Sequence, residues 1–348
     1  MPRCYCVKPN GKGDMAQLRK DPVTSRWVIV NVENPKNPRD FNFKPVAKSS
    51  KTCPFCPGNE AMTPPEIVAY GRKSGGKNMP GWQLRIVPNK FPALRIEEST
   101  DKFAFGVYDK IGGFGAHEVI VENPDHAKEI PDLEIEQVEL ILRSYRDRCA
   151  DLRKDTRFRY ILIFKNYGAA AGASLEHPHS QLIALPIVPS RVLGEVKGAA
   201  KHFEYTDRCI FCDMLNQERA QKALTIHEET HFIGLSPFAG RFPFETWVLP
   251  KAHEASFDSL TDDRLTDLAR MLKTILGKIR LVLNDPAYNF MIHTVPLDNK
   301  QPECFHWHIE IIPQLTQIAG FELGTGFYLN PTPPEVASKA LKNAQFLA

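Results

Sequence analysis

The chain lacks long apolar runs. Nowhere in its 348 residues does a stretch approach the ~18 continuous apolar residues of a membrane-crossing helix. The opening "MPRCYCVKPNGKGDM" has no apolar segment of signal-peptide length. Charge bias is missing too: 44 Lys and Arg stand against 41 Asp and Glu, leaving a net charge of +3 spread along the chain. No basic tail for nucleic acid and no membrane-seeking patch is present. Neither a Walker pattern nor a dinucleotide fingerprint occurs. These absences predict a cytoplasmic protein with no nucleic-acid or membrane partner. Residues 1–15 are expected to form a flexible N-terminal tail. Hydrophobic residues make up 43% of the chain, enough for a large core and more than one domain.

Eight cysteines are present, and four of them form two Cys-x-x-Cys pairs, "CPFC" at 53–56 and "CIFC" at 209–212. No thioredoxin-like strand and helix surround either pair, so metal binding is favoured over redox chemistry. Each pair is followed by the same series of elements. A strand comes first, "HEVIVENPDH" ending at His126 and "ETWVLPKAH" ending at His253. A helix follows, with Leu133, Val138, Ile141, Tyr145, Cys149 and Leu152 on one face of the first copy. In the second copy Leu265, Leu268, Leu272, Ile275, Ile279 and Val282 do the same, with Thr261 as N-cap. Another strand, "RYILIFKN" or "AYNFMIHT", leads to His-x-His, "HPH" at 177–179 and "HWH" at 306–308. The longer Cys-to-His interval of the first copy implies an insertion across "GRKSGGKNMPGW" and "RIEESTDKFAF".

The pattern predicts an α+β protein of two fused units with an internal pseudo-two-fold repeat, each unit an antiparallel sheet with a long packed helix. Residues 16–190 are expected to form the catalytic N-terminal unit and 205–348 the C-terminal unit, joined through "IVPSRVLGEVKGAAKHFEY".

Two cysteines and two histidines recurring in one order suit tetrahedral zinc. The expected sets are Cys53, Cys56, His126 and His177, and Cys209, Cys212, His253 and His306. Four protein ligands close the coordination sphere, so both zincs are expected to be structural. Glu195 and His293, with His306 and His308, form an alternative Glu/His₃ set, so the second site could instead hold iron or another metal.

In a strand, residues i, i+2 and i+4 share a face, which aligns His177, His179 and Gln181. With His177 held by metal, His179 is presented at a fixed position without being a ligand. Just upstream, "NYGAAAGASLE" (166–176) is a small-residue segment, including Gly172, whose backbone N–H groups can approach a phosphate. Asn166 and Ser174 add side-chain donors. Neutral His179 can attack an α-phosphorus and form a phosphoramidate, while Gln181 donates to a non-bridging oxygen. Its other ring nitrogen is expected to be held by a backbone carbonyl. The second copy has no Gly/Ala cradle and carries Glu310 where Gln181 would fall, so one catalytic centre per chain is expected.

With "RKDPVTSRWVIV", "CPFCPGNE", "VPNKFPAL", "ENPDH", "FKNYGAAAGASLEHPHSQ" and "HWH", the chain resembles the galactose-1-phosphate uridylyltransferase branch of the histidine-triad superfamily. The resemblance implies histidine-triad-like units and a nucleophile at His179, with Gln181 beside it. It also implies zinc on Cys53, Cys56, His126 and His177, nucleotide contacts at Asn89, Asn166 and Ser174, a hexose contact at Glu322, and a homodimer with the active site near its interface. The implied activity is ping-pong UDP-glucose–hexose-1-phosphate uridylyl transfer, in galactose metabolism, on nucleotide-sugar and sugar-phosphate substrates.

Departures point elsewhere. Only Arg39 remains of the family's arginine-rich stretch, and Tyr328 replaces its downstream glutamine. The second Cys-x-x-Cys and "GFELGTGFYLNP" look like the plant ADP-glucose phosphorylases, an alternative using the same histidine. A non-catalytic zinc-stabilised nucleotide-binding module is a further alternative. Hydrolysis is disfavoured, because Gln181 cannot serve as a general acid.

Overall fold

The computed structural model describes residues 16–41, 52–299 and 301–346. The tail expected at 1–15 lies outside these described residues. The first half contributes β1 (Ala16–Lys20), β2 (Trp27–Asn31), β3 (Val68–Tyr70), β4 (Leu84–Pro88), β5 (Lys102–Phe105), β6 (Tyr108–Ile111), β7 (Ala116–Val121), α1 (Ile135–Leu152), β8 (Tyr160–Tyr167) and β9 (His179–Leu185). Next come α2 (Ser190–Thr206), α3 (Ile210–Gln221), β10 (Thr225–Glu228), β11 (Phe232–Leu235), β12 (Thr246–Pro250), α4 (Asp262–Leu283), β13 (Tyr288–His293) and β14 (His308–Pro313). The chain closes with α5 (Gly320–Thr325), β15 (Tyr328–Asn330) and α6 (Pro334–Asn343).

Ten strands form one antiparallel sheet in the order β3-β4-β7-β9-β8-β13-β14-β12-β11-β10. Where the sequence predicts a separate sheet per unit, β8 and β13 join them edge to edge. Asn166 lies opposite Asn289 in that pairing. The strand order reads alike from both edges, with α1 and α4 at matching places in the two halves. A smaller sheet, β1-β2-β15, stands apart, with β15 parallel to β2.

Period-two alternation assigns the faces of the large sheet. On β9, Leu182 and Ala184 pack with Val138, Ile141, Leu142 and Tyr145 of α1 in the main core. The odd-numbered residues, His179 and Gln181 among them, therefore face away from the helices. Helix α4 buries Leu265, Leu268, Leu272, Ile275 and Ile279 in the same core. Cutting Leu272 back to alanine would cost about 2–5 kcal/mol.

Helix α1 starts later than its apolar spacing predicts. Ile130–Asp132 forms a separate short turn, in which the Glu129 N–H donates to Asp132 Oδ2 at 3.1 Å. Leu133 reaches the core from outside the helix. The expected connector folds as α2, which buries Val192, Glu195 and Ala199. The insertion contains the β5–β6 hairpin, with Phe105 and Val107 exposed at its tip.

Candidate active site

Cys53 and Cys56 sit in a turn closed by the Cys56 N–H donating to Cys53 O at 3.3 Å. The ligand atoms of Cys53, Cys56, His126 and His177 all lie within 4.8 Å of one another. Cys56 Sγ is 3.4 Å from His126 Nδ1 and 3.6 Å from His177 Nδ1. Zinc bonded at about 2.3 Å to sulfur and 2.0–2.1 Å to nitrogen in a tetrahedron sets S and N about 3.5 Å apart. The four side chains therefore fit that ion. His177 Nε2 donates to Asn123 O at 2.9 Å, which fixes the tautomer that turns Nδ1 toward the metal position.

Cys209, Cys212, His253 and His306 repeat this arrangement. Cys212 Sγ is 3.5 Å from His253 Nδ1 and 3.6 Å from His306 Nδ1, while His306 Nε2 donates to Pro250 O at 2.9 Å. The Glu/His₃ alternative is corrected at one member: His306 belongs with the cysteines. Glu195, His293 and His308 form a third group of their own, with Glu195 Oε2 at 2.9 Å from His293 Nδ1.

His179 opens β9, buried at the back of a cleft of about 430 Å³ whose lining includes Phe55, Pro64, Asn89, Ser174 and Gln181. That volume lies in the range of small-molecule sites. His179 Nδ1 donates to His177 O at 2.8 Å, as the sequence predicts, which leaves Nε2 as the unprotonated nitrogen of the neutral ring. Burial pushes the His179 pKa down to about 4, so the ring is neutral at physiological pH. Such a ring presents an unshared electron pair to the cleft.

The small-residue segment forms a tight turn. Gly168 (φ 81°) and Gly172 (φ 87°) flank Ala169–Ala171 in conformations that disfavour side chains. A Cβ on Gly172 would stand 3.8 Å from Asn166 Nδ2, so that amide faces the turn. Ser174 is among the residues lining the cleft, and the turn that holds Gly172 beside Asn166 leads directly to it.

Among the described residues, the surroundings of His308 differ from those of His179. His308 is buried against Trp247 and His293, and the space beside it is about 10 Å³. Glu310 is neutralised by Arg241 and Arg191, each at 2.6 Å, rather than left as a free carboxylate.

A family model described as galactose-1-phosphate uridyl transferase, N-terminal domain, matches residues 12–189. A second, a domain of unknown function (DUF4921), matches residues 115–345. The ADP-glucose phosphorylase of Arabidopsis thaliana is 40% identical over 345 residues, 95% of both chains. The chain belongs to the galactose-1-phosphate uridylyltransferase family. The family enzyme of Thermotoga maritima is 29% identical, over 95% of this chain and 99% of its own. Among solved structures, an A. thaliana ADP-glucose phosphorylase with bound ADP-glucose superposes with a TM-score of 0.80 at 37% identity, covering 95% of this chain and 99% of that one. A uridylyltransferase gives 0.73 at 28%, covering 94% and 97%. These relatives are nucleotidyltransferases, and so is this protein.

Glu322 Oε2 accepts the Ala319 N–H at 3.0 Å and caps α5, and Glu322 does not line the His179 cleft. Tyr328 packs on Phe242 and under Arg26.

Several residues at the site escaped sequence reasoning. Phe55, between the cysteines, sets its ring 5.4 Å from that of His179. His117, on β7, contacts Gln181, with His117 Nε2 2.8 Å from Gln181 Oε1. Asn289 Nδ2 donates to Asn166 Oδ1 at 2.7 Å and to Ala171 O at 2.8 Å, and Gln314 Nε2 donates to Asn289 Oδ1 at 2.6 Å. Behind the sheet, buried Lys165 Nζ binds Glu122 at 2.6 Å and Glu129 at 3.0 Å. Burial opposes the Lys165 charge, and the two carboxylates more than offset it, raising its pKa. Tyr145 OH donates to Ser180 Oγ at 2.7 Å, tying β9 to α1 next to the histidine. Of these, only Tyr145 carried a sequence signal, as a core position.

Proposed function

We propose that this nucleotidyltransferase cleaves ADP-glucose with inorganic phosphate by double displacement at His179. The neutral Nε2 attacks the α-phosphorus, and the bond from that phosphorus to the bridging oxygen breaks. Glucose 1-phosphate leaves with the oxygen and its electron pair. An oxygen of inorganic phosphate then attacks the same phosphorus, the P–N bond breaks, and ADP departs. Two displacements at a buried nucleophile replace one difficult transfer. Gln181 donates to a non-bridging oxygen as its charge changes, with Ser174, Asn166 and the Gly172 turn as further phosphate donors. Gln181 has no proton to supply as an acid, so transfer to phosphate is favoured over release to water.

The observation that carries the choice of ADP-glucose is the 40% identity over 95% of both chains with the A. thaliana phosphorylase, against 29% with the T. maritima uridylyltransferase. Tyr328, which stands in a packed strand where the uridylyltransferases carry a glutamine, supports the same choice.

Zinc belongs to this reading at both Cys₂His₂ sets, as a structural ion that fixes the strand entering His179 or its counterpart. Closely similar S···N spacings, 3.4 and 3.6 Å in one set and 3.5 and 3.6 Å in the other, support two ions per chain. The like strand order from both edges supports a duplicated unit, 16–190 and 205–348, in which the cleft at His179 is about 430 Å³ and the space beside His308 about 10 Å³. A homodimer, with Glu322 serving substrate near the interface, completes the proposal. Six described cysteines are free, which suits a reducing, cytoplasmic setting, and no described helix is long and apolar enough to cross a membrane.

Purified protein supplied with ADP-glucose and phosphate should release glucose 1-phosphate. Turnover of UDP-glucose with galactose 1-phosphate in its place would contradict the donor assignment. Binding without turnover of either pair would make the chain a nucleotide-binding module.

A further inference from the structure

The hydrogen bonds around Gln181 have a direction, and backbone groups set it. Strand β7 pairs with β9 so that Val119 lies opposite Gln181, which puts His117 on the diagonal of the same face. The Ala93 backbone N–H points at His117 Nδ1, 3.1 Å away. A backbone N–H can only donate, so Nδ1 must be the bare nitrogen of the ring. The proton of neutral His117 then sits on Nε2, which is 2.8 Å from Gln181 Oε1 and donates to it.

Asn89 follows the same logic. The Phe91 N–H donates to Asn89 Oδ1 at 2.9 Å, which turns Asn89 Nδ2 toward the same corner, 3.1 Å from His117 Nε2 and 3.5 Å from Gln181 Oε1; with Nε2 protonated, Gln181 Oε1 is the acceptor of the two for Asn89. His117 is therefore the close donor to the carbonyl oxygen of Gln181, with Asn89 a longer second one, and the Gln181 NH₂ group is left for the cleft. With the amide reversed, two N–H groups would face the Gln181 NH₂ and an oxygen would face the phosphate.

We infer that His117 is a positioning residue, which acts through Gln181 by holding its amide with the donor end toward the transferred phosphoryl group. The inference rests on the reading that Gln181 donates to that group. Specificity of donor or acceptor does not enter it. The loop carrying Asn89, Phe91 and Ala93 supplies both fixing N–H groups, so it sets the polarity of the amide without touching the nucleophile.

A double-mutant cycle on the full chain tests this, with rapid-quench formation of the nucleotidyl-enzyme from ADP-glucose as the readout. Gln181→Ala should slow that step on the order of 10²-fold, the usual loss of one such donor. His117→Ala should slow it roughly tenfold, in kcat rather than KM, because a freed amide still samples the productive orientation. His117→Gln, which keeps an N–H donor, should recover most of that loss. In the Gln181→Ala background His117→Ala should cost nothing further. An undiminished His117→Ala loss in that background overturns the inference alone, as does a loss accompanied by lower Tm or zinc content. Wild-type rates in Gln181→Ala overturn the Gln181 reading and this inference with it.

Discussion

Replacing Asn289 by aspartate should disable His179 chemistry from the opposite half of the sheet. Asn289 Nδ2 donates at 2.7 Å to Asn166 Oδ1 and at 2.8 Å to Ala171 O. Aspartate has nearly the same shape and no donor. Its carboxylate would face two oxygens, and the Asn166 amide can relieve its share by turning over. The turn brings Asn166 Nδ2 to residue 289 and swings Oδ1 to the Gly172 side, where it meets phosphate as an acceptor. The two lost bonds are worth about 1–3 kcal/mol of stability. Exchanging a phosphate donor for an acceptor should lower the rate of nucleotidyl-enzyme formation about 10²–10³-fold. Asn289→Ala removes the constraint without reversing it and should cost nearer tenfold. A role in packing alone gives the opposite ranking, with alanine the worse variant because it leaves a void. Rapid-quench measurement of the first displacement, beside thermal unfolding, distinguishes the two. An Asn289→Asp protein that forms the intermediate at the wild-type rate would refute the reasoning.

Three further outcomes follow from named groups. Hydrogen bonding from Arg72, with Asn78 and Arg85 assisting against burial, holds the Glu66 carboxyl down to about 2 from an ordinary value of 4.5. Its contribution, about 3 kcal/mol, is present above pH 4.5 and lost as pH falls toward 2, so Glu66→Gln should narrow the stability gap to wild type over that window in denaturant titrations. Lys165→Met strands Glu122 and Glu129 as buried charges without their partner and should destabilise the fold by about 3–5 kcal/mol in the same titrations. Elemental analysis should find two zinc ions per wild-type chain and one in Cys209→Ser, whereas two in that variant would contradict the second set.

Much of the scaffold was legible in the sequence, because burial repeats with fixed periods. The spacing of Leu265, Leu268, Leu272, Ile275 and Ile279 maps onto α4, and "RYILIFKN" onto β8 with a one-residue shift. Both Cys₂His₂ sets were readable as well, since ligand types and their order were duplicated. Which strand lies beside which was not readable. His117 reaches Gln181 only because β7 borders β9, and Asn289 reaches Asn166 only because β8 and β13 join the halves. Periodicity within one segment carries no information about such neighbours. The Glu195, His293 and His308 group was blurred with the cysteine set for a related reason. His306 groups with Cys209, Cys212 and His253 while His308 groups with Glu195 and His293, and only the fold separates their partners.

The central claim, that His179 carries the nucleotidyl group, is tested most directly by incubating the protein with ADP-glucose labelled at the α-phosphorus, without phosphate. The account predicts stoichiometric label on the wild type, on a histidine peptide containing residue 179, discharged by added phosphate and missing from His179→Ala. Label that survives in His179→Ala, or a wild type that turns over without ever becoming labelled, would contradict it.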